Sequence, residues 1–321
     1  MPQSRSPAAP SASYREVDDD YAGQRLDNYL LTYLKGVPRS HVYRLVRSGQ
    51  VRVNSKRVAP SYRIQAGDRV RIPPVARNVT EAAHAKTGNF AWLEDRIVYE
   101  DERILLVDKP SGLAVHGGSG INVGCIEALR SIRPEQKALE LIHRIDRDTS
   151  GCLLIAKRRS ALRALHGVFR ENALDKYYFA LVAGAWPRKL RCVDLALATR
   201  RIGGEARVRV DAAGKSAKSH FHPVRRFGNF ATLVGIKIET GRTHQIRVHA
   251  AAAGHPVAGD SRYGSESFNA ALQEFGLQRM FLHATSLSFC WPASEQLFGI
   301  SVPLPAELQA AVRRLAAKYP D

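Results

Sequence analysis

The spacing of apolar residues changes along this chain of 321 residues, and that change limits the folds open to it. Between Gln24 and about Gly36, apolar side chains recur every three or four residues, which predicts a short amphipathic helix. Beyond about residue 90 the apolar residues form short continuous runs, which are typical of strands buried in a sheet. These runs are residues 97–99, 104–107, 152–155, 178–182 and 231–238.

Three segments among and after these strands keep a helical period. They are residues 160–170, 243–253 and 304–318. Ser160 and Thr243 are the predicted N-caps, and Gly254 suits the position that follows a helix end. Hairpin-like strands interrupted by a few helices predict an α+β fold: a small helical module, then a larger domain on a mixed, mostly antiparallel β-sheet flanked by helices.

Composition divides the chain into four parts. Residues 1–13 contain mostly Pro, Ser, Ala and other small or polar types, and we interpret them as a disordered leader. Residues 14–75 form the small basic module, and residues 76–90 lack periodicity and are interpreted as a linker. Residues 91–321 form the larger domain.

Within the basic module a second helix is predicted, with Ser40 as N-cap and Gly49 at the left-handed position after its end. Arg44 and Arg47 are three residues apart and so share one face of this helix. Two short strands follow, at residues 51–53 and 69–72.

The excess of positive charge is concentrated in one part of the chain. Lysine and arginine number 48 against 30 acidic residues, a formal charge of +18, and residues 35–77 contain eleven of these cations with a single acid, Asp68. Such a concentration predicts a surface that binds phosphate. Because no window approaches the ~18 apolar residues of a membrane span and no secretion signal is present, we expect a cytoplasmic protein with a nucleic-acid partner.

A polar turn at residues 141–151, between two apolar segments, carries the first candidate chemistry. Asp146 and Asp148 would point the same way in an extended chain, to hold a divalent ion or to act as an acid and base pair. Alternatively, Asp148 hydrogen-bonds the local backbone of a turn, and Asp146 forms a surface ion pair with Arg144 or Arg147. The residues alone leave these interpretations open.

The second candidate is the start of the helix predicted at residues 243–253. Its N-terminus, with Thr243 as cap and Arg242 beside it, is suited to bind an anion. Arg247 lies about one turn inside, where a buried arginine needs a carboxylate or phosphate partner. Together with the basic module, these features predict a metal-independent enzyme that acts on a polynucleotide, but they specify no reaction class.

Short motifs in the basic module occur in the order of a known RNA-binding fold. QRLD begins at Gln24, PRS begins at Pro38, and VRVN begins at Val51 after the basic helix. This order resembles the alpha-L RNA-binding fold, first seen in a small-subunit ribosomal protein. The resemblance implies that a basic helical face binds structured RNA.

Longer motifs in the rest of the chain resemble those of the RluA-type RNA pseudouridine synthases. They are HRIDRDTSG (143–151), AK (156–157), KYYFA (176–180), GRTHQIRVH (241–249), GHP (254–256), GD (259–260) and YG (263–264). The resemblance covers residues 14–318. It departs from the family pattern at Ile145, where leucine is commoner, and at Ser219, where threonine is frequent.

The resemblance implies a reaction and three catalytic residues. Enzymes of this family break the bond between uracil N1 and the ribose, turn the base and rejoin it through C5, without a cofactor or a metal. By the same resemblance, Asp146 is the catalytic carboxylate and Arg247 pairs with it. Tyr178 stacks on the target base and relays a proton.

Seven further residues are predicted to contact RNA. They are Arg39, Arg44, Arg47, Arg144, Arg147, Arg242 and His244. For His143 and His249, packing, loop hydrogen bonding and substrate contact stay open as alternatives.

Within the family, the motifs most resemble those of enzymes that modify large-subunit rRNA. We therefore expect isomerisation of specific uridines of 23S rRNA, in free RNA or in a ribosome precursor, by a monomer. Three alternatives follow. They are a synthase for tRNA or another rRNA site, a non-catalytic rRNA-binding assembly factor, and a metal-dependent nuclease or phosphotransferase that uses Asp146 and Asp148.

Overall fold

The computed structural model describes residues 12–34, 37–75, 89–117, 123–202, 205–292 and 294–320. The chain divides into two compact units, Met1–Gly88 and Asn89–Asp321. Most of the predicted leader (residues 1–11) and most of the predicted linker (residues 76–88) lie outside the described residues. In the described ranges, no helix has both the length and the apolar character needed to cross a membrane.

The first unit combines two helices with a three-stranded antiparallel sheet in the order β1-β3-β2. Its elements are β1 (Ser13–Glu16), a 3-10 helix (Asp19–Tyr21), α1 (Leu26–Tyr33), α2 (Arg39–Arg47), β2 (Arg52–Val53) and β3 (Arg69–Ile72). The sequence did not predict β1, because all four of its side chains are exposed and leave no pattern of burial. It begins one residue before the predicted start of the module.

The predicted ends of α2 are partly right. Pro38, not Ser40, is the N-cap, and its carbonyl accepts the N–H of Val42 at 3.1 Å, so Ser40 lies in the first turn. The fixed φ of proline suits a helix start, which explains the earlier beginning. Gly49 has a φ of +71°, which confirms the prediction for the residue after the helix end.

Apolar side chains from both helices and the sheet form the core of the first unit. Leu26 and Leu30 of α1 are fully buried there, as are Val42 of α2 and Val70 of β3. The packing of this apolar face leaves the basic face of α2 exposed.

The second unit is built on one sheet of ten strands, with helices around it and a separate hairpin. Its strands are β4 (Ile97–Glu100), β5 (Ile104–Lys109), β6 (Glu140–Leu141), β7 (Ser150–Ala156), β8 (Leu174–Ala183), β9 (Cys192–Asp194), β10 (Leu197–Ile202), β11 (Glu205–Val210), β12 (Lys218–Phe227), β13 (Ala231–Ile238), β14 (Leu282–Cys290) and β15 (Leu297–Ser301). Its helices are α3 (Cys125–Ile132), α4 (Arg159–Arg170), α5 (Gln245–Ala252), α6 (Glu266–Leu272) and α7 (Ala306–Lys318), with 3-10 helices at Ala91–Arg96 and Gln273–Phe275.

The main sheet runs β4-β5-β7-β14-β8-β13-β12-β9, with β6 on β7 and β15 on β14, while β10 and β11 form a separate two-stranded sheet. Neighbouring strands are antiparallel except β7 and β14, which are parallel. The prediction of an α+β fold with a mixed, mostly antiparallel sheet is therefore confirmed.

Two predicted helix caps in the second unit are wrong. The N-cap of α4 is Arg158, because the chain stays extended only as far as this residue (φ −129°, ψ 146°), and Ser160 lies inside the helix. The N-cap of α5 is His244, in a left-handed conformation, and not Thr243. Gly254 follows α5 with a φ of +81°, as predicted.

The register of the three central strands places the main polar turn near β8. Gly151 of β7 is aligned with Ala284 of β14, and Ala284 is aligned with Tyr178 of β8. The turn that enters β7 and the side chain of Tyr178 are therefore separated by one strand.

Candidate active site

Asp146 lies in the turn that leads into β7. Its carbonyl oxygen accepts the N–H of Thr149 at 3.2 Å, which closes the turn. Gly151 has a φ of +105°, and a side chain there would collide with the carbonyl oxygen of Ala284, so only glycine permits this approach to β14. The turn leaves the Asp146 carboxylate 18% exposed, at the wall of a cavity.

A buried lysine holds the same turn from behind. The ammonium of Lys109, at the end of β5, donates to the carbonyls of Pro110 and Leu113 at 2.8 Å and of Arg147 at 2.9 Å. Three acceptors satisfy the three N–H groups of an ammonium. Although burial lowers the pKa of Lys109 to about 7, these bonds fix the backbone beside Asp146. This role of Lys109 was not predicted, because its one signal in the sequence is a lysine at the end of an apolar strand.

Arg247 of α5 binds two carboxylates at once. Its Nη1 lies 3.3 Å from Asp146 Oδ2, so the structure brings the predicted pair together. Its Nε and Nη2 donate to Asp260 at 2.7 and 2.8 Å, which makes Asp260 the closer, bidentate partner. Asp260 belongs to one of the family motifs, but no role was predicted for it, since two residues 13 apart in the sequence show no pairing signal.

The pair of Arg247 and Asp260 is almost completely buried, and both charges are retained. Burial disfavours the charge of Asp260, but the hydrogen bonds and charge of Arg247 more than offset this and lower the pKa of the carboxyl group. Burial likewise opposes the charge of Arg247, yet Asp260 and then Asp146 raise its pKa. Arg247 therefore presents a constant positive charge to Asp146.

Tyr178 lines the same cavity as Asp146 and Arg247. Burial, and after it the charge of Asp146, raises the pKa of Tyr178 above its usual range, so its hydroxyl stays protonated at neutral pH. The structure thus places all three predicted catalytic residues around one cavity. Their chemical roles stay predictions.

His244 connects this cavity to the hairpin of β10 and β11. It adopts a left-handed conformation (φ 54°), and its Nδ1 lies 2.8 Å from the hydroxyl of Tyr263. The same hydroxyl accepts the N–H of Val208 on β11 at 3.1 Å, so Tyr263 links His244 to the hairpin. The helix start predicted as an anion site is shaped by this contact, because the left-handed residue, rather than Thr243, precedes α5.

Three of the arginines predicted to contact RNA surround the cavity region. Arg144 and Arg242 line the cavity and are exposed, and Arg242 Nε donates to the carbonyl of Ser216 at 3.0 Å. Arg147 is exposed and pairs with Asp148 at 3.1 Å. Their contact with RNA stays a prediction.

The remaining predicted RNA contacts lie in the first unit. Arg44 and Arg47 are exposed on α2, in agreement with the predicted shared face. The side chain of Arg39 lies outside the described part of the structure.

His143 and His249 are both bonded within the protein. His143 Nε2 accepts the N–H of Leu154 at 3.0 Å, and its ring stacks on Phe169 with centroids 5.3 Å apart. His249 Nδ1 lies 3.0 Å from Ser219 Oγ in the interior. Among the alternatives left open, the structure shows packing and hydrogen bonding for both.

Asp146 and Asp148 have different partners, Arg247 and Arg147 respectively. In the described ranges, no three His, Cys, Asp or Glu side chains are grouped so that they could hold a metal ion.

Known proteins with similar sequences show the family of this chain. An RNA pseudouridylate synthase model matches residues 103–252, and an S4 domain model matches residues 24–70. The ribosomal large subunit pseudouridine synthase C of Vibrio cholerae is 49% identical over 304 residues, which cover 94% of this chain and 96% of the relative. The protein of the same name from Escherichia coli K12 is 49% identical over 311 residues, which cover 95% and 97%. The chain belongs to the RNA pseudouridylate synthase family.

A solved human structure has the same fold as this synthase. Human RNA Pseudouridylate Synthase Domain Containing 4 aligns with a TM-score of 0.58 at 23% identity, over 70% of this chain and 95% of the human one. The residues that match the synthase family include Asp146, Tyr178 and Arg247, while Asp260 lies just beyond the end of the match. The S4 domain model contains Arg44 and Arg47 of the first unit.

Proposed function

We propose that this synthase converts specific uridines of 23S rRNA to pseudouridine, in free rRNA or in a precursor of the large subunit. Its similarity to enzymes named for the large ribosomal subunit, over nearly the whole chain, supports an rRNA substrate. The observation that carries the proposal is the Asp146 carboxylate, held 3.3 Å from Arg247 in a cavity that Tyr178 also lines.

The reaction is an isomerisation. The bond from uracil N1 to the anomeric carbon breaks, the base turns, and a bond from C5 forms in its place. C5 loses a proton and N1 gains one, so composition and oxidation state are unchanged and neither a redox cofactor nor a metal is required. Asp146 attacks the anomeric carbon, adds to the base or takes a ribose proton, and each route needs the charged carboxylate. A guanidinium 3.3 Å away stabilises that charge.

Tyr178 has two roles in this proposal. Its ring lies at the wall of the cavity and stacks on the target uracil, which positions the base beside Asp146. Its protonated hydroxyl takes part in proton transfer when C5 loses its own proton.

The target uridine must leave the base stack to reach Asp146, at a cost of a few kcal/mol that is smallest in loops and bulges. Phosphate contacts elsewhere on the RNA offset this cost. We assign them to two sets of residues. In residues 14–75, taken as the RNA-binding module, they are Arg39, Arg44 and Arg47. Around the cavity of the catalytic domain, residues 91–321, they are Arg144, Arg147, Arg242 and His244.

We further propose that the enzyme works as a monomer in the cytoplasm. An rRNA substrate supports the cytoplasm as its place of action.

The proposal is tested by the release of tritium from C5-labelled uridine in 23S rRNA transcripts, followed by mapping of the modified positions. We expect Asp146→Asn to reduce release to background while RNA affinity stays within about two-fold, because the shape of the side chain is kept and its charge is lost. Asp148→Asn is the matched control. It removes a carboxylate two residues away that pairs with Arg147, and we expect it to retain activity.

Other results would support the rival functions. Wild-type protein that binds 23S rRNA without releasing tritium would indicate an assembly factor, and release from tRNA alone would indicate a different substrate. Activity that a chelator abolishes, or that Asp148→Asn removes as fully as Asp146→Asn, would indicate metal-dependent chemistry at the two carboxylates.

A further inference from the structure

A second cavity of about 460 Å³ adjoins the one that contains Asp146. The two share Arg144, Tyr178 and Arg242 among their lining residues. Four cations line the second cavity, since Arg170 and Lys176 join the two shared arginines, and none of its lining residues is acidic. Such a cavity attracts an anion.

The half-buried Lys176 differs in its contacts from the buried Lys109 and the half-buried Lys157 of the same unit. Lys109 donates to three carbonyls, and Lys157 Nζ pairs with Glu100 at 2.6 Å. In the described part of the chain, no oxygen accepts a hydrogen bond from Lys176 Nζ, which lies 5.5 Å from the centroid of the Phe169 ring. The ammonium of Lys176 is thus partly shielded from water, and no anionic group compensates for the lost hydration.

The backbone of the neighbouring turn leaves room beside this ammonium. Gly241 lines both cavities, and a β-carbon at this position would lie 3.5 Å from Lys176 Nζ. Burial also lowers the pKa of Lys176, a cost that a bound anion would offset. An anion bound here would therefore supply the partner that the ammonium of Lys176 lacks.

We propose that this cavity binds a backbone phosphate of the substrate RNA next to the target uridine, with Lys176 as the direct ligand. The inference rests on the proposed function, since it takes the RNA strand as the source of the anion. A phosphodiester suits the site because it carries a single charge, accepts several hydrogen bonds and is always present beside the target base.

The position of Lys176 on β8 sets which phosphate it meets. Lys176 and Tyr178 are two residues apart on one strand, so their side chains lie on the same face, about 7 Å apart along it. With the target base against Tyr178, Lys176 reaches the phosphate on the 5′ or the 3′ side of that same nucleotide. Arg144 and Arg242 border both cavities, and in this proposal they guide the backbone from one to the other.

The test is a cycle of changes to protein and RNA. The RNA is a 23S rRNA fragment that contains a mapped target uridine, with a neutral methylphosphonate in place of the phosphate on its 5′ or 3′ side. Affinity is measured in the Asp146→Asn background, so that the RNA is not converted, with Lys176 intact or changed to Met. We expect either change alone to weaken binding on the order of ten-fold, the size of one charge-assisted hydrogen bond. When Lys176→Met and the methylphosphonate are combined, we expect affinity to fall no further than with one of the two changes alone.

Two further variants complete the experiment. Lys137→Met removes an exposed lysine that does not line the cavity, and we expect it to add its effect to that of the methylphosphonate. Lys176→Arg keeps the charge and is expected to retain both affinity and sensitivity to the methylphosphonate. If Lys176→Met fails to fold, Lys176→Arg still tests whether a charge at this position is sufficient for binding.

Additive losses of about a hundred-fold for Lys176→Met with the methylphosphonate at both positions would overturn the inference. An affinity that Lys176→Met leaves unchanged, or that neither methylphosphonate changes, would also overturn it. Failure of the proposed function is seen separately. In that case, the protein with Asp146 intact does not convert the unmodified fragment, whatever the outcome of the binding cycle.

Discussion

At the scale of single residues, the site depends on how Arg247 divides its hydrogen bonds. Its two bonds to Asp260 are short and bidentate, whereas the contact to Asp146 is single and 3.3 Å long. Asp260 is fully buried and also accepts the backbone N–H groups of Arg262 and Tyr263. Asp260 therefore fixes the guanidinium, and the guanidinium then stabilises the charge of an Asp146 that stays free to react.

Removing the charge of Asp260 should affect stability and catalysis together. We expect Asp260→Asn to lower the free energy of unfolding by about 3–5 kcal/mol, the range found when one partner of a buried ion pair is lost. We also expect kcat to fall more than KM rises, because Arg247 loses its position beside Asp146. Urea denaturation and steady-state tritium release measure the two effects. Glu274→Gln removes an exposed partner of Lys318 and should cost at most about 1 kcal/mol. An equal loss for both variants would contradict this role of Asp260.

At the scale of elements, the turn before β7 is held on several sides. Lys109 at the end of β5 binds the carbonyl of Arg147, and His143 binds the backbone N–H of Leu154 within β7 itself. Because Nε2 of His143 accepts that hydrogen bond, the ring must be neutral at this nitrogen. Burial, and after it the charge of Lys176, lowers the pKa of His143 to about 3.

This lowered pKa makes the second unit sensitive to acid. Between about pH 6.5, the usual value for histidine, and pH 3, the unfolded chain binds a proton at His143 and the folded chain does not. The free energy of unfolding should therefore decrease as pH falls through this window, by about 2.5 kcal/mol from His143 at pH 4.5. His143→Gln should remove that part of the slope.

The measurement is urea unfolding at pH 7 and pH 4.5, followed by tryptophan fluorescence. All three tryptophans, at positions 92, 186 and 291, belong to the second unit, so the signal reports this unit alone. His166→Gln changes an exposed histidine of α4 and is the control. An acid-dependent loss that is the same in wild type and His143→Gln would show that His143 is not its source.

At the scale of the whole molecule, the positive charge and the candidate chemistry belong to different units. The buried apolar residues of the first unit form their own cluster between Val17 and Ile72, and the clusters of the second unit contain residues beyond 89 only. The exposed arginines of α2 lie in the first unit, whereas Asp146, Tyr178 and Arg247 lie in the second. Separate cores indicate that each unit can fold alone.

Deleting residues 1–75 should therefore weaken RNA binding without unfolding the second unit. We expect the slope of log K against log salt to become shallower by roughly 0.7–0.9 for each phosphate that the shortened protein no longer neutralises, because fewer counterions are released. Filter binding over a range of salt measures the slope, and circular dichroism with thermal melting tests the fold. A deletion variant that binds with an unchanged slope would contradict the assignment of RNA binding to residues 14–75, and one that unfolds would show that the second unit depends on the first.

Local pattern and local conformation explain what the sequence determined by itself. Continuous apolar runs predicted β5, β7 and β13, and glycines after two helices predicted positions with positive φ, at Gly49 and Gly254. These features depend on residues near one another in the chain, where periodicity and backbone freedom act directly. Local chemistry also pointed to Asp146 and Arg247, while motif resemblance added the reaction class, the pairing of these two residues and the role of Tyr178.

Only the tertiary structure decided which groups meet. The ion pair of Arg247 with Asp260, the clamp of Lys109 on the turn before β7, and the cavity beside Lys176 join elements far apart in the sequence. The start of α5 was also beyond prediction, because the contact of His244 with Tyr263 sets a left-handed residue where a threonine cap was expected. Hydrogen bonds and packing between distant segments produce no periodic pattern in the sequence. Charge and local pattern therefore identify candidate residues, and the tertiary packing determines which groups they contact.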